Sequence, residues 1–393
     1  MDIFQKCREY TIARQMQAEG LYPYFLPLED TEGTEVIIDG RKILMIGSNN
    51  YLGLTTDPRV RKAATDAVER YGTSCTGSRF LNGTLALHKE CEQRLADFVG
   101  KEAALVFSTG YQTNVGTISC LIGRGDVVVT DKDDHASIVD GCMMSLGDMR
   151  RFNHNDLDHL ERVLSKIDDK AGRMVVVDGV YSMGGDLAPL PDMIPICQKY
   201  DARLMVDDAH SVGVMGGGRG TSAHFGVTDQ VDLIMGTFSK SFASLGGFIA
   251  GDESTIHYIQ HNSRALIFSA SMPASNVAAV LAALDIMETE PEHNERLWAV
   301  TERMRSGLHA MGYNTEPSVT PIIPIHIGEM SATFMAWKMC FEAGLYTNAV
   351  ISPAVPPDQC MLRTSYMATH TDEQIDRALN ILGEVGHELG LID

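Results

Sequence analysis

The sequence predicts an α/β fold: a mainly parallel central sheet covered on both sides by helices, with a smaller α+β domain toward the C-terminus. Three observations carry this. Six short runs, 103–107, 126–130, 173–177, 203–206, 232–235 and 247–250, are β-branched or apolar on both faces, as strands buried in a parallel sheet are. Helical patterns separate most of them, which favours a sheet with helices on both sides. Polar motifs stand just after several of the runs, where ligands collect beyond the carboxyl ends of such strands.

The elements read in order as follows. Ile3, Cys7, Tyr10, Ala13 and Met16 recur at helical spacing, predicting a helix over 3–19. The aromatic segment 20–25 follows, then a hairpin pairing 35–38 with 42–45 about the Asp39-Gly40 turn. From about residue 56, helix and apolar strand alternate. Residues 274–289 read as a long helix leaving this region. Beyond 290 the pattern gives a helix near 294–311, strands near 322–327 and 361–364, and a last helix from about 372. The proline-rich stretch 352–357 cannot be regular helix, and its position suits a mobile flap. The division expected is an N-terminal arm and hairpin over 1–55, a large domain over 56–285 and a small domain over 286–393.

Bulk composition narrows the function. With 393 residues, 44% of them hydrophobic, the chain can bury a large core. A net charge of -20 repels phosphate backbones and argues against nucleic-acid binding. The eight cysteines are scattered, with no C-x-x-C pair and no zinc spacing, which fits a reduced, cytoplasmic setting. No stretch approaches the ~20 apolar residues that span a bilayer, so membrane contact is expected to be peripheral at most. No resident metal is expected.

Two segments carry the chemistry. Lys240, in Gly-Thr-Phe-Ser-Lys-Ser (236–241), offers an amine between hydroxyls, beside the apolar run 233–235. Asp207 and His210, in Val-Asp-Asp-Ala-His (206–210), offer a carboxylate and an imidazole after another apolar strand. An amine that forms an imine and an acid that keeps a pyridine nitrogen protonated are the two halves of a pyridoxal 5'-phosphate (PLP) site. Taken alone, Asp207 reads equally well as a capping aspartate, and Lys240 as a surface charge. Asp208, adjacent on an extended segment, points the other way.

His135 follows the 126–130 run and could stack on a ring face. Gly110 and Tyr111 open a helix after strand 103–107 and offer N–H groups to a phosphate, joined by the hydroxyls of Thr237 and Ser239. Arg363 is the candidate clamp for a substrate carboxylate. Asn49 could supply an amide near the substrate, or simply form a turn. A metal hydrolase using Asp134, His135, Asp207 and His210 is a second reading, but it leaves Lys240 idle.

The motifs 48–54, 134–138, 178–183, 207–211 and 236–240 together resemble the α-oxoamine synthase family of fold-type I PLP enzymes (aspartate aminotransferase-like), over nearly the whole chain. Segments 20–25, 77–84, 268–272, 352–356 and 367–371 are most similar to the soluble bacterial serine palmitoyltransferases. The resemblance implies that Lys240 holds the PLP aldehyde, Asp207 pairs with the ring nitrogen and His135 stacks on the ring. It implies that His210 and Ser182 contact the phenolic oxygen or substrate. Gly110, Tyr111, Thr237 and Ser239 would hold the phosphate and Arg363 the substrate carboxylate. It further implies a homodimer with its site at the interface, Ser269 reaching the partner's phosphate; Ala270 stands where many relatives have a second polar side chain.

The implied reaction is a decarboxylative condensation of L-serine with a long-chain acyl-CoA such as palmitoyl-CoA. Its products are 3-oxosphinganine, CoA and CO2, in the first step of sphingolipid synthesis. The alternative is a glycine C-acetyltransferase or another α-oxoamine synthase using glycine and a shorter acyl-CoA.

Overall fold

The six apolar runs enter one seven-stranded sheet. Its order is Ala103–Phe107, Gly247–Gly251, Leu233–Thr237, Arg203–Asp207, Arg173–Asp178, Val127–Asp131 and Asp148–Phe152. The computed structural model describes residues 2–393. The chain folds as two units, one of residues 49–297 holding this sheet, the other of residues 2–48 with 298–393. This differs from the division at 55 and 285. The N-terminal arm and hairpin share a core with the C-terminal segment, and the border falls inside the helix Glu292–Ala310.

In the larger unit, the five strands from Leu233–Thr237 to Asp148–Phe152 run parallel. Gly247–Gly251 runs antiparallel to both of its neighbours, which corrects its reading as a parallel strand. The cause is the connection. Residues 238–246 hold no helix, and a parallel crossover needs about a dozen residues or more. The chain therefore doubles back and leaves Lys240 in the return loop, at the carboxyl end of Leu233–Thr237.

Residues 148–152 were not expected as a strand. Asp148, Arg150 and Arg151 interrupt the apolar pattern because this strand pairs on one side only, with Val127–Asp131. The sheet core is continuous through Leu105, Val128, Val176, Met205, Met235 and Ile249. The helix Ala274–Thr289 stays within the larger unit, packing on Pro58–Tyr71 and Ala86–Val99. Its alanines, valines and leucines are buried on several sides, as expected of an interior helix.

In the other unit, Glu35–Ile38 pairs with Arg41–Met45. Asp39 (φ 50°) and Gly40 (φ 68°) are both left-handed, the geometry of a two-residue hairpin turn. Leu345–Tyr346 adds in parallel to Arg41–Met45. A second sheet runs Ile322–Gly328, Cys360–Ser365, Asn348–Val350. The helices Met330–Glu342 and Asp372–Glu388 pack with these strands around Ile46, Leu308, Ile323, Trp337 and Leu382. The helix Met330–Glu342 and the strands Leu345–Tyr346 and Asn348–Val350 were not foreseen.

The single helix expected over 3–19 is two, Gln5–Glu9 and Ile12–Ala18, broken where Tyr10 turns extended. Neither helix buries a residue. Met16 packs part-buried against the core, too little contact to join two short helices into one.

Candidate active site

At the carboxyl ends of the parallel strands lies a cavity of about 270 Å³, lined by Gly110, Tyr111, His135, Asp207, His210, Thr237, Ser239 and Lys240 among others. Eight of the predicted residues therefore come together, from four separate strand ends. Asp207 is the last residue of Arg203–Asp207 and pairs in register with Asp178, which also lines the cavity. Thr237 ends the next strand.

Asp207 is buried and accepts two hydrogen bonds. Its Oδ1 takes the N–H of Ala209 at 2.9 Å, and its Oδ2 takes Asn114 Nδ2 at 2.6 Å. The same Asn114 amide reaches Ser137 Oγ at 2.9 Å. Ser137 Oγ lies 2.7 Å from His135 Nδ1. His135 caps the helix Ala136–Met144, where its Nδ1 accepts the Ser137 N–H. His135 as a whole stays open to the cavity, but partial desolvation of its ring lowers its pKa and favours the neutral form. Asn114 was missed in the sequence, since a lone asparagine inside an apolar helix carries no local signal.

The cavity also offers groups suited to an anion. Thr109 caps the twelve-residue helix Gly110–Leu121, and a helix N-terminus presents unpaired N–H groups with a favourable dipole. The hydroxyls of Thr237 and Ser239 lie 3.0 Å apart. Gly110 packs so tightly there that a Cβ would meet Thr237 Oγ1 at 2.5 Å. Tyr111 hydrogen-bonds the carboxylate of Asp140, which raises its phenol pKa.

His210 is buried, its Nδ1 2.7 Å from the hydroxyl of Tyr51. That hydroxyl also reaches Asn49 Oδ1 at 3.3 Å, so Asn49 joins the site through Tyr51 without lining the cavity. Tyr51 too escaped the sequence reading. Ser182 sits in the turn after Val180 and does not line the cavity. Ser269 accepts from Gln112 Nε2 at 3.1 Å, in the first turn of Gly110–Leu121. Arg363 is buried in the other unit, on Cys360–Ser365, in register with Pro324 and Asn348.

Several buried acids stand at or next to the cavity residues Asp178 and Asp207. Burial holds the carboxyls of Asp134 and Asp178 well above the usual range, and nearby carboxylates add to it. Asp134 accepts from the N–H groups of Asp131 and Asp178, each at 2.9 Å. Asp208 points away, as expected, to Ser211 Oγ at 2.6 Å and the N–H of Thr221. Burial raises it to about 6.

Among the described residues, the acids and imidazoles whose ligand atoms converge are Asp131, Asp133 and His154, not the four of the hydrolase reading. A larger cavity of about 620 Å³ lies at the other end of the strands, by Asp126, Arg173 and Arg203. Its charges are engaged: Asp126 accepts from Gly123 and Gly172, and Arg203 pairs with Asp232. Size favours that cavity, but the reactive groups stand in the smaller one.

The model of the family "Aminotransferase class I and II" matches residues 41–382. The chain belongs to that family. Within it, the chain is 50% identical to a serine palmitoyltransferase of Sphingobacterium spiritivorum, over 95% of this chain and 94% of that one. A serine palmitoyltransferase of S. paucimobilis, solved with a bound PLP–myriocin aldimine, superposes with a TM-score of 0.97 at 37% identity, covering all of both chains. The 8-amino-7-oxononanoate synthase of Symbiobacterium thermophilum is 41% identical over 96% of this chain and 97% of its own length. These matches put the chain in the α-oxoamine synthase branch of the family, nearer to the palmitoyltransferases than to the oxononanoate synthases.

Proposed function

We infer that the protein is a PLP-dependent acyltransferase that condenses L-serine with a long-chain acyl-CoA, palmitoyl-CoA above all. The reaction joins serine Cα to the acyl carbonyl carbon and breaks the thioester to release CoA. It also breaks the Cα–carboxyl bond to release CO2, leaving 3-oxosphinganine. The observation that carries the reading is the meeting of Lys240 and Asp207 at one cavity, in a chain so similar to serine palmitoyltransferases.

The residues fit PLP. The helix start at Gly110 and the paired hydroxyls of Thr237 and Ser239 form a cradle suited to a phosphate. Each oxygen of Asp207 accepts one hydrogen bond from the protein, leaving acceptor capacity for a ring N–H. When bound, the cofactor supplies the electron sink that makes serine Cα acidic.

The chain's own groups would do the rest. Lys240 would hold the cofactor and would offer an amine to take the Cα proton. Asp207 keeps the ring nitrogen protonated. His135 covers one face, while His210, held by Tyr51, donates to the phenolic oxygen or substrate. Ser182 and Asn49 are assigned to the same polar edge, and Arg363 to the serine carboxylate, where a planar guanidinium binds two oxygens at once.

A homodimer with Ser269 serving the partner's phosphate belongs to this reading, as does a cytoplasmic setting. The eight cysteines are free thiols. No helix among the described residues is long and apolar enough to cross a membrane.

The test is a product assay by mass spectrometry, with serine, glycine and alanine each offered acyl-CoAs of graded length. We expect 3-oxosphinganine from serine and palmitoyl-CoA as the dominant product. Preferred use of glycine with acetyl-CoA would instead indicate an acetyltransferase and overturn the substrate assignment.

A further inference from the structure

Asn114 has no part in the reaction as described above, yet it touches two of the groups that do. Its amide is buried in the second turn of Gly110–Leu121. Nδ2 lies 2.6 Å from Asp207 Oδ2 and 2.9 Å from Ser137 Oγ. We propose that Asn114 is a positioning residue that sets the tautomer of His135, through a one-way line of hydrogen bonds running from Asp207 by way of Ser137; this rests on reading the cavity as a PLP site.

The direction of the line follows from proton counting. Both oxygens of Asp207 act as acceptors, one from Ala209 N–H and one from Asn114. The asparagine must therefore turn its NH2 toward the acid, since the flipped amide would set oxygen against oxygen. Its second N–H then goes to Ser137 Oγ. Ser137 has a single hydroxyl proton left, and its neighbour at 2.7 Å is His135 Nδ1. The backbone N–H of Ser137 also donates to that nitrogen, at 3.3 Å. Two donors need the Nδ1 lone pair, so the proton of a neutral ring must sit on Nε2.

The consequence is chemical as well as geometric. A neutral imidazole can lie against the face of a protonated pyridine ring; an imidazolium would meet like charge. One amide thus couples the acid that protonates the ring to the imidazole that covers it. Burial of Asn114, Ser137 and Asp207 keeps water from breaking the line.

The test uses full-length protein labelled with 15N-histidine and freed of cofactor, with His135 assigned by loss of its signals in His135→Gln. We expect the wild type to show His135 neutral at pH 7, protonated on Nε2. In Asn114→Leu, which keeps the volume and removes the amide, the Nδ1–H tautomer or the imidazolium should grow. PLP affinity, read by fluorescence titration, should fall roughly tenfold, as loss of one hydrogen bond to a charged group implies.

Ser137→Ala keeps the Asn114–Asp207 bond and should change the His135 tautomer with a smaller loss of affinity. It carries the test if the leucine variant does not fold. An Nδ1–H tautomer in the wild type, or an unchanged tautomer in the folded variants, would overturn the proposal. Failure of the wild type to bind PLP would overturn the functional reading instead, and the tautomer spectra would still judge this one.

Discussion

His154 Nε2 lies 2.8 Å from Asp186 Oδ2, and the other ring nitrogen lies 3.1 Å from Asp131 Oδ1. Burial would lower the pKa of this imidazole, but its hydrogen bonds to Asp131 and Asp186 outweigh that and raise it to about 10. Asp131 ends a sheet strand, and its own N–H is held by Asp134. Asp134 in turn holds the N–H of Asp178 at the cavity floor. The imidazolium thus balances Asp131 and Asp186, beside the strand end that Asp134 ties to its neighbour.

A pH dependence follows from that pair. The folded pKa lies above the ordinary histidine value, so the stabilisation is complete below about pH 6.5 and is lost as pH rises toward 10. We expect His154→Gln to lower stability at pH 7 by on the order of 2–4 kcal/mol. The gap to wild type should close as pH approaches 10. Urea melts of both proteins at several pH values check this; a gap that widens with pH would contradict it.

Gly110→Ala should leave the fold intact and damage the anion cradle. The added methyl would meet Thr237 Oγ1 at 2.5 Å, so Thr237 or the helix start must shift, at a cost of about 1–3 kcal/mol. We expect PLP affinity to fall at least about tenfold, the equivalent of 1.4 kcal/mol, while the far-UV spectrum stays the same. Equal affinity in the alanine variant would show that this corner does not hold the phosphate.

Arg363→Lys separates substrate binding from cofactor binding. Lysine keeps the charge but loses the two-pronged geometry. We expect KM for serine to rise about tenfold or more, by the loss of a charge-assisted hydrogen bond, with PLP affinity unchanged. Steady-state kinetics and a cofactor titration on the same preparation decide it; unchanged KM would remove Arg363 from the substrate clamp.

The sheet was legible because its central strands are buried on both faces, so Val127, Val128 and Val129 or Val175, Val176 and Val177 appear as unbroken apolar runs. Asp148–Phe152 was not, because an edge strand tolerates Arg150 and Arg151. Nothing local distinguished the antiparallel Gly247–Gly251 from its parallel neighbours. Only the helix-free link after Thr237 does so. The periodicity of residues 3–16 misled, because Ile3 and Tyr10 have apolar spacing but remain exposed.

In the site, Lys240, Asp207, His135 and Gly110 were readable since each ends or follows a strand at its carboxyl end. Asn114 and Tyr51 join the site only through contacts with Asp207 and His210, residues 93 and 159 positions away. Sequence periodicity holds no trace of such pairs.

Lys240→Ala should abolish turnover and the visible absorbance of a lysine-bound cofactor, while leaving the protein folded. An alanine variant that stays yellow and active would remove the lysine from the chemistry.

The most direct measurement is borohydride reduction of the purified protein, followed by proteolysis and peptide mass mapping. One phosphopyridoxyl group is expected, carried by the peptide containing Lys240. A tag on any other lysine, or protein that takes up no B6 at all, would contradict it.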